Sequence, residues 1–145
     1  MNGEFDAKGF TLIEVLIALG IFAVGILAVA ALQGSALRAA ADAEQSGRAR
    51  AAAKSLAEHL LALPGDHRQL RDRNGNGRAG LDDGAADPDG ADHCLPPEGP
   101  QALQVCWNIA ENDPAPGLIS LRISARWGAT GEKRLILDLL RTFGD

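Results

Sequence analysis

The chain has 145 residues and a formal net charge of −5, with 14 Lys and Arg against 19 Asp and Glu. This length allows one domain and excludes an assembly of several large ones. The negative charge disfavours a nucleic-acid binder, because affinity for a phosphate backbone comes from Lys and Arg side chains. Acidic side chains are concentrated between Asp66 and Asp113, which favours cations or basic partners.

Residues 10–33 form an apolar segment in which Glu14 is the only charged side chain. As a helix, such a segment is long enough to span the hydrocarbon core of a bilayer. A carboxylate in hydrocarbon costs about 3 kcal/mol or more unless it has a partner. Cleavage between Gly9 and Phe10 would create an amino group about one helical turn from Glu14, and the two charges could then neutralise each other.

Residues 8–19, with the sequence KGFTLIEVLIAL, resemble the class III signal of type IV pilins and type II secretion pseudopilins. The resemblance implies that a membrane prepilin peptidase cuts after Gly9 and methylates the new amino group of Phe10. It also implies that Glu14 pairs with the N-terminus of a neighbouring subunit during filament assembly. Residues 25–33 are further similar to the PilV group of minor pilins.

The resemblance and the composition together divide the chain into five segments. These are a leader at 1–9, a membrane-spanning or filament-core half of a helix at 10–33, an amphipathic half at 34–63, an acidic loop rich in Gly, Asp and Pro at 64–100, and the sheet of a head at 101–145. Lys8 at the membrane edge predicts a cytoplasmic leader and a periplasmic head. An ordinary signal peptide or an uncleaved anchor is the alternative, but a secretory peptide has a small-residue cleavage site and no need for Glu14.

The N-terminal half of the chain predicts one long helix. No proline occurs between Phe10 and Leu63, and Pro64 and Gly65 follow as a stop signal. Beyond Gln33, apolar side chains recur at helical spacing and predict a face that covers a sheet. The residues of this face are Ala49, Ala52, Ala53, Leu56, Leu60 and Leu63.

Three apolar runs, 101–109, 117–127 and 133–143, predict strands. In the second run, residues at alternate positions from Leu121 to Trp127 are apolar, which predicts one buried face. A short Gly-bounded connection to the third run predicts an antiparallel hairpin. The third run also fits a helix, although we assign it as a strand. The predicted fold is therefore α+β and pilin-like, a long N-terminal helix packed against a small antiparallel sheet, with both tryptophans in the core.

Cys94 and Cys106 are the only cysteines in the chain. If the head lies outside the cytoplasm, they predict one disulfide that closes a short loop and contributes about 2 to 3 kcal/mol. Two reduced, buried thiols are the alternative. A structural zinc site is disfavoured because it needs four nitrogen or sulfur ligands.

Residues 72–83 fit most of the EF-hand loop pattern, with oxygen-bearing side chains at positions 1, 3 and 5 and Gly at position 6. A calcium ion would be held by Asp72, Asn74, Asn76, the carbonyl of Arg78 and Asp83. Because two of the early ligands are neutral, we expect modest affinity. Asn-Gly repeats also form ordinary solvated turns, which remains the alternative. We expect the later acidic residues Asp87, Asp89 and Asp92 to be solvated.

The sequence gives no indication of catalysis, since no nucleophile, base and orienting group occur together. We expect a structural role as a minor type IV pilin, processed by prepilin peptidase and held in the inner membrane. It would then be incorporated with other pilins in a pilus at the cell surface, where it primes assembly or modifies adhesion, with no required cofactor. The alternatives are a minor pseudopilin of type II secretion and a membrane-anchored, calcium-dependent binding module that never polymerises.

Overall fold

The structure, a computed structural model, describes residues 11–84, 88–97, 99, 103–128 and 131–142. The predicted leader, the Gly9–Phe10 cleavage site and the methylation site at Phe10 lie outside these residues. The chain divides into two compact units, Met1–Ala43 and Glu44–Asp145.

The first unit contains the beginning of the long helix α1, which runs from Leu12 to Ala62. Thr11 precedes the helix, and its side-chain oxygen accepts the backbone N–H of Glu14 at 3.4 Å. This arrangement is an N-cap, because it satisfies one of the free N–H groups of the first turn. The apolar side chains of this unit are exposed, and an 18-residue window of the helix has a mean hydropathy of 2.9 and no buried residue. By length and composition this helix can cross a membrane.

The second unit contains the remainder of α1, from Glu44 onward, together with the sheet. One face of this part of the helix is buried, and the prediction of an apolar face is confirmed. Its buried residues are Ala49, Ala53, Leu56, Ala57 and Leu60, with Ala52 and Leu63 partly buried beside them. At the C-terminal end of the helix, Arg141 donates hydrogen bonds to the carbonyl oxygens of Leu60 and Leu63 at 2.9 and 3.0 Å. A cation there satisfies free carbonyls and complements the helix dipole.

The sheet has four antiparallel strands in the order β1-β2-β3-β4. They are β1 (His93–Cys94), β2 (Gln104–Glu111), β3 (Leu118–Trp127) and β4 (Lys133–Thr142). The last three correspond to the three predicted strands with shifted bounds, and the third apolar run is a strand rather than a helix. The helix and antiparallel sheet confirm the predicted α+β, pilin-like layout.

The predicted loop at 64–100 contains more regular structure than its sequence indicates. It includes β1 and three short 3-10 helices, Arg68–Leu70, Gly77–Asp82 and Pro88–Gly90. Elements of two to six residues are too short to show a hydrophobic period, so the sequence pattern could not reveal them.

Alternate residues of the central strands form the core with α1. Leu121, Ile123 and Ala125 are each at most 1% exposed, as the alternation in this strand predicts. The core also receives the side chains Val105, Trp107, Ile109, Ile119 and Trp127.

The structure contains the predicted disulfide. Cys94 and Cys106 lie directly opposite each other in the β1–β2 pair, with their Cα atoms 4.0 Å apart. The bond closes a segment of 12 residues. In the chain-entropy model, a loop of this length contributes about 3 kcal/mol to the free energy of unfolding. The disulfide therefore fastens the end of the polar loop region to the sheet.

The two tryptophans are both buried, as predicted, but their indole N–H groups differ. The Nε1 of Trp107 donates to the backbone oxygen of Gln69 at 2.9 Å, and its ring stacks on His93 with centroids 5.1 Å apart. The Nε1 of Trp127 is buried and has no hydrogen-bond partner in the described part of the chain. Burying an unpaired donor is unfavourable.

This contrast makes a prediction for a matched pair of substitutions. Trp107→Phe removes a hydrogen bond and leaves the Gln69 carbonyl unpaired, so we expect it to lower the free energy of unfolding by about 1 kcal/mol more than Trp127→Phe does. Urea unfolding of the detergent-solubilised protein, followed by the fluorescence of the remaining tryptophan, measures the difference. Equal losses, or a larger loss for Trp127→Phe, would contradict this account of the two indoles.

Candidate functional site

Glu14 occupies the third residue of α1, where the chain begins its exposed apolar stretch. A carboxylate in the first turn of a helix is favoured by the positive end of the helix dipole. Thr11 and Glu14 also have the spacing of a capping box, in which a Ser or Thr N-cap is followed three residues later by Glu. Thr11 is not among the residues predicted from the sequence, although this spacing could have revealed its role. Among the described residues the Glu14 carboxylate has no ion-pair partner.

Asp72 organises the candidate calcium loop. Its Oδ1 accepts the backbone N–H of Gly75 and its Oδ2 accepts that of Gly77, each at 2.7 Å. In the EF-hand numbering used for this loop, the second contact joins positions 1 and 6. Both carboxylate oxygens are therefore fixed by the backbone that follows them.

The other candidate ligands are arranged around this turn. The Oδ1 of Asn74 accepts the backbone N–H of Asn76 at 3.2 Å, and the Nδ2 of Asn76 donates to the Oδ2 of Asp83 at 2.6 Å. The guanidinium of Arg78 lies 3.3 Å from a carboxylate oxygen of Asp113. The structure thus links four of the predicted side chains through one turn.

Within the described ranges, no three His, Cys, Asp or Glu side chains are placed to hold a metal ion. The candidate loop offers two carboxylates and two neutral amides, a set that suits only a weakly held hard cation. Calcium binding therefore stays a prediction.

Asp92 was predicted to be solvated, and this prediction is wrong. Its side chain is 2% exposed. One carboxylate oxygen accepts the backbone N–H groups of Arg73 and Asn74 at 3.0 and 3.3 Å, and the other accepts the N–H of Ile109 at 2.9 Å. A carboxylate can be buried when hydrogen-bond donors replace its water. Asp89, by contrast, is exposed as predicted, and Asp87 lies outside the described residues.

Asn108 continues this buried polar cluster from β2. Its Oδ1 accepts the backbone N–H of Asp92 at 2.8 Å, and its Nδ2 donates to the backbone oxygens of Leu81 and Asp83. The same side chain therefore holds two separate parts of the polar loop region, at residues 81–83 and at Asp92, against the sheet. Its polarity inside an otherwise apolar strand was the signal in the sequence that could have identified it.

Arg122 lies on the outer face of β3 between two carboxylates. Its Nε and Nη2 donate to the two oxygens of Asp138 on β4, at 2.6 and 2.9 Å, and its Nη1 donates to Asp82 at 2.5 Å. The hydrogen bonds from Arg122 hold the pKa of Asp138 below its ordinary value. The pKa of Arg122 is raised, mainly by the hydrogen bond to Asp138. This cluster ties the polar loop to the last strand.

The lowered pKa of Asp138 predicts a pH-dependent contribution to stability. The ionised pair stabilises the fold above the ordinary carboxyl pKa of 3.8, and the contribution disappears as the pH falls through the lower folded-state pKa. We expect Asp138→Asn to lower the free energy of unfolding by at most about 1 kcal/mol at neutral pH, because the carboxylate is well exposed. The difference from the parent protein should vanish once the pH lies below both the unfolded and the lower folded-state pKa of Asp138. Urea titrations at several pH values measure it.

Asp66→Asn is the control, because Asp66 is exposed and has no ion pair with any described residue. A pH-independent effect of Asp138→Asn, or an equal pH dependence for Asp66→Asn, would show that the pair with Arg122 is not the cause.

Comparison with known proteins identifies the N-terminal part of the chain. Residues 5–30 match the family model described as the prokaryotic N-terminal methylation motif. No significant match is found among curated proteins or solved structures. The matched region includes Glu14 and the first part of the exposed apolar helix. This segment of the chain therefore carries the class III signal of the type IV pilin family. The signal supports a structural, membrane-anchored pilin or pseudopilin. It also supports processing by prepilin peptidase and assembly with other pilins.

Proposed function

We propose that this protein is a minor type IV pilin of the PilV group, cleaved between Gly9 and Phe10 and methylated on Phe10. It is incorporated in a type IV pilus or primes its assembly. The observation that carries the proposal is the methylation motif at residues 5–30. Residues 25–33 support the PilV group by their resemblance in sequence alone.

The exposed apolar surface of the first unit favours polymerisation. Its apolar side chains are exposed and require lipid or neighbouring helices around them. Glu14 is the one acidic side chain in this apolar stretch, so it needs a positive partner there. The amino group of a processed neighbour supplies that charge, and the pairing selects one register between subunits.

In the proposed orientation the head lies in the periplasm and then at the cell surface. The Cys94–Cys106 disulfide favours this, because such bonds persist in oxidising compartments. Lys8, on the opposite side of the apolar segment, favours a cytoplasmic leader.

The first test is the intact mass of the protein extracted from membranes of its native host, with and without prepilin peptidase. We expect loss of residues 1–9 and gain of one methyl group only when the peptidase is present. An unprocessed chain, or cleavage at another bond, would favour a tethered module that does not polymerise.

The assembly role of Glu14 is tested by Glu14→Gln, which keeps the size of the side chain and removes its charge. We expect cleavage to continue while incorporation into sheared filaments falls by about tenfold or more, because a buried ion pair is lost. Quantitative immunoblotting of the sheared fraction against the membrane fraction measures incorporation.

Glu44→Gln is the matched control, since Glu44 lies in the same helix but outside the apolar stretch, and its carboxylate pairs with Arg48. Normal incorporation of the Glu14→Gln protein would overturn the docking role. If the protein instead appears only in filaments that require the type II secretion machinery, the pseudopilin alternative is correct.

We also propose that loop 72–83 binds calcium weakly. The specific observation in favour is the contact from the Gly77 N–H to Asp72, which joins positions 1 and 6 of the loop. In the surroundings proposed for the head, weak sites are useful because such modules work at dissociation constants of about 0.1 to 1 mM.

Isothermal titration of the detergent-solubilised full chain with calcium chloride tests this site. We expect a millimolar dissociation constant that Asp72→Asn abolishes and Asp66→Asn leaves unchanged. Absence of binding heat at millimolar calcium, or binding that survives Asp72→Asn, would contradict the proposal.

A further inference from the structure

The polar loop contains two adjacent Asn-Gly dipeptides, Asn74-Gly75 and Asn76-Gly77. Both asparagine side chains are exposed to solvent. Asparagine is among the chemically labile residues of proteins. It is most labile before glycine, because the absence of a Cβ lets the glycine nitrogen approach the asparagine side chain. The two dipeptides are therefore potential sites of spontaneous deamidation.

Deamidation begins with an attack by the backbone nitrogen of the glycine, and protection must prevent this step. The backbone nitrogen of the glycine loses its proton to solvent and attacks the Cγ of the preceding asparagine. A succinimide ring forms, and the side-chain nitrogen leaves as ammonia after taking up a proton. Water then opens the ring at either carbonyl and gives aspartate or isoaspartate. The net change is the addition of one water and the loss of one ammonia.

Asp72 holds both attacking nitrogens. The N–H of Gly75 is bonded to one of its carboxylate oxygens and the N–H of Gly77 to the other, each at 2.7 Å. Both contacts are short, as hydrogen bonds to a charged acceptor are. We propose that Asp72 protects Asn74 and Asn76 from deamidation by holding the two glycine N–H groups in their protonated form and directed at its carboxylate.

Two physical effects produce the protection. A negative carboxylate next to an N–H group disfavours removal of its proton, because the product would be a second negative charge at hydrogen-bond distance. Each nitrogen must also leave its hydrogen bond before it can turn toward the asparagine Cγ. One side chain applies both effects to two sites.

The side chains of the two asparagines are held by hydrogen bonds of different strength. The Nδ2 of Asn76 donates to Asp83 at 2.6 Å, whereas the Nδ2 of Asn74 donates to the backbone oxygen of Gly90 at 3.4 Å. The longer contact is the weaker one. Asn74 is therefore the first site to react when the Asp72 contacts are lost.

Deamidation at these sites changes the charge of the loop. Each event replaces a neutral amide by a carboxylate, in a region of the chain that is already acidic. The inference rests on the hydrogen bonds of the loop. It is independent of assembly in a pilus, and it shares Asp72 with the proposed calcium site.

The test follows deamidation in the detergent-solubilised full chain at mildly alkaline pH, with peptic peptides that contain residues 74–77 sequenced by mass spectrometry. In the parent protein we expect both sites to react about tenfold or more slowly than in the same chain unfolded in urea. Asp72→Ala should raise the native rate at both sites toward the unfolded rate, with Asn74 ahead of Asn76.

Asp83→Ala is the matched control, because Asp83 bonds the Asn76 side chain and neither glycine nitrogen. It should leave the rate at Asn74 unchanged. Equal rates in the native and unfolded parent protein would overturn the proposal, as would an unchanged rate in Asp72→Ala. An equal increase at Asn74 in Asp83→Ala would also overturn it, since general loosening of the loop would then be the cause.

Hydrogen exchange of the parent protein gives a measurement that needs no variant. The backbone amides of Gly75 and Gly77 should exchange about tenfold or more slowly than in the urea-unfolded chain, although they lie in a solvent-facing loop. Exchange of both amides at the unfolded rate would show that Asp72 does not hold them and would overturn the proposal.

Discussion

The head depends most on the buried carboxylate of Asp92. Its two oxygens accept three backbone N–H groups, two from the polar loop at Arg73 and Asn74 and one from β2 at Ile109. Without this acceptor the buried N–H of Ile109 would be left unpaired, which costs about 1 to 3 kcal/mol. This side chain therefore joins the segment beside Asp72 to β2, and Asn108, Arg122 and the disulfide hold other parts of the loop against the same sheet.

The long helix α1 has two kinds of surface within one continuous element. In the first unit its apolar side chains are exposed on all sides, so they require an apolar environment that the chain itself does not supply. In the second unit only a narrow face is buried, and three of its residues are alanines, Ala49, Ala53 and Ala57. Small side chains at this spacing allow the sheet to approach the helix closely. The change from one surface to the other occurs without a break in the helical hydrogen bonding.

The sequence predicted the elements whose patterns are long and periodic. The extent of α1 follows from an uninterrupted run that ends at Pro64, and the buried side of β3 follows from strict alternation between Leu121 and Trp127. The disulfide was predictable because the chain contains only two cysteines. In each case the structure that the local sequence pattern favours is also the structure found in the folded protein.

The remaining features depend on contacts between distant residues, which local patterns do not contain. Asp92 lies among turn-forming residues and looks solvated, yet it is buried because β2 and the loop both present N–H groups to it. The two-residue strand β1 pairs with β2 where Cys94 lies opposite Cys106, a residue 12 positions away in the chain. The N-cap role of Thr11, by contrast, depends only on its spacing to Glu14 and was predictable from the sequence.

The hydrogen bonds from Arg141 connect the last strand of the sheet to the C-terminal end of α1. They join residues 81 and 78 positions apart in the chain. Arg141, the hydrogen-bond partner of the Leu60 and Leu63 carbonyls, is therefore synthesised only after nearly the whole head. The protein partner of these two carbonyls is therefore present only when β4 has joined the sheet. A chain truncated before residue 141 would lack this partner and leave both carbonyls at the end of α1 to solvent.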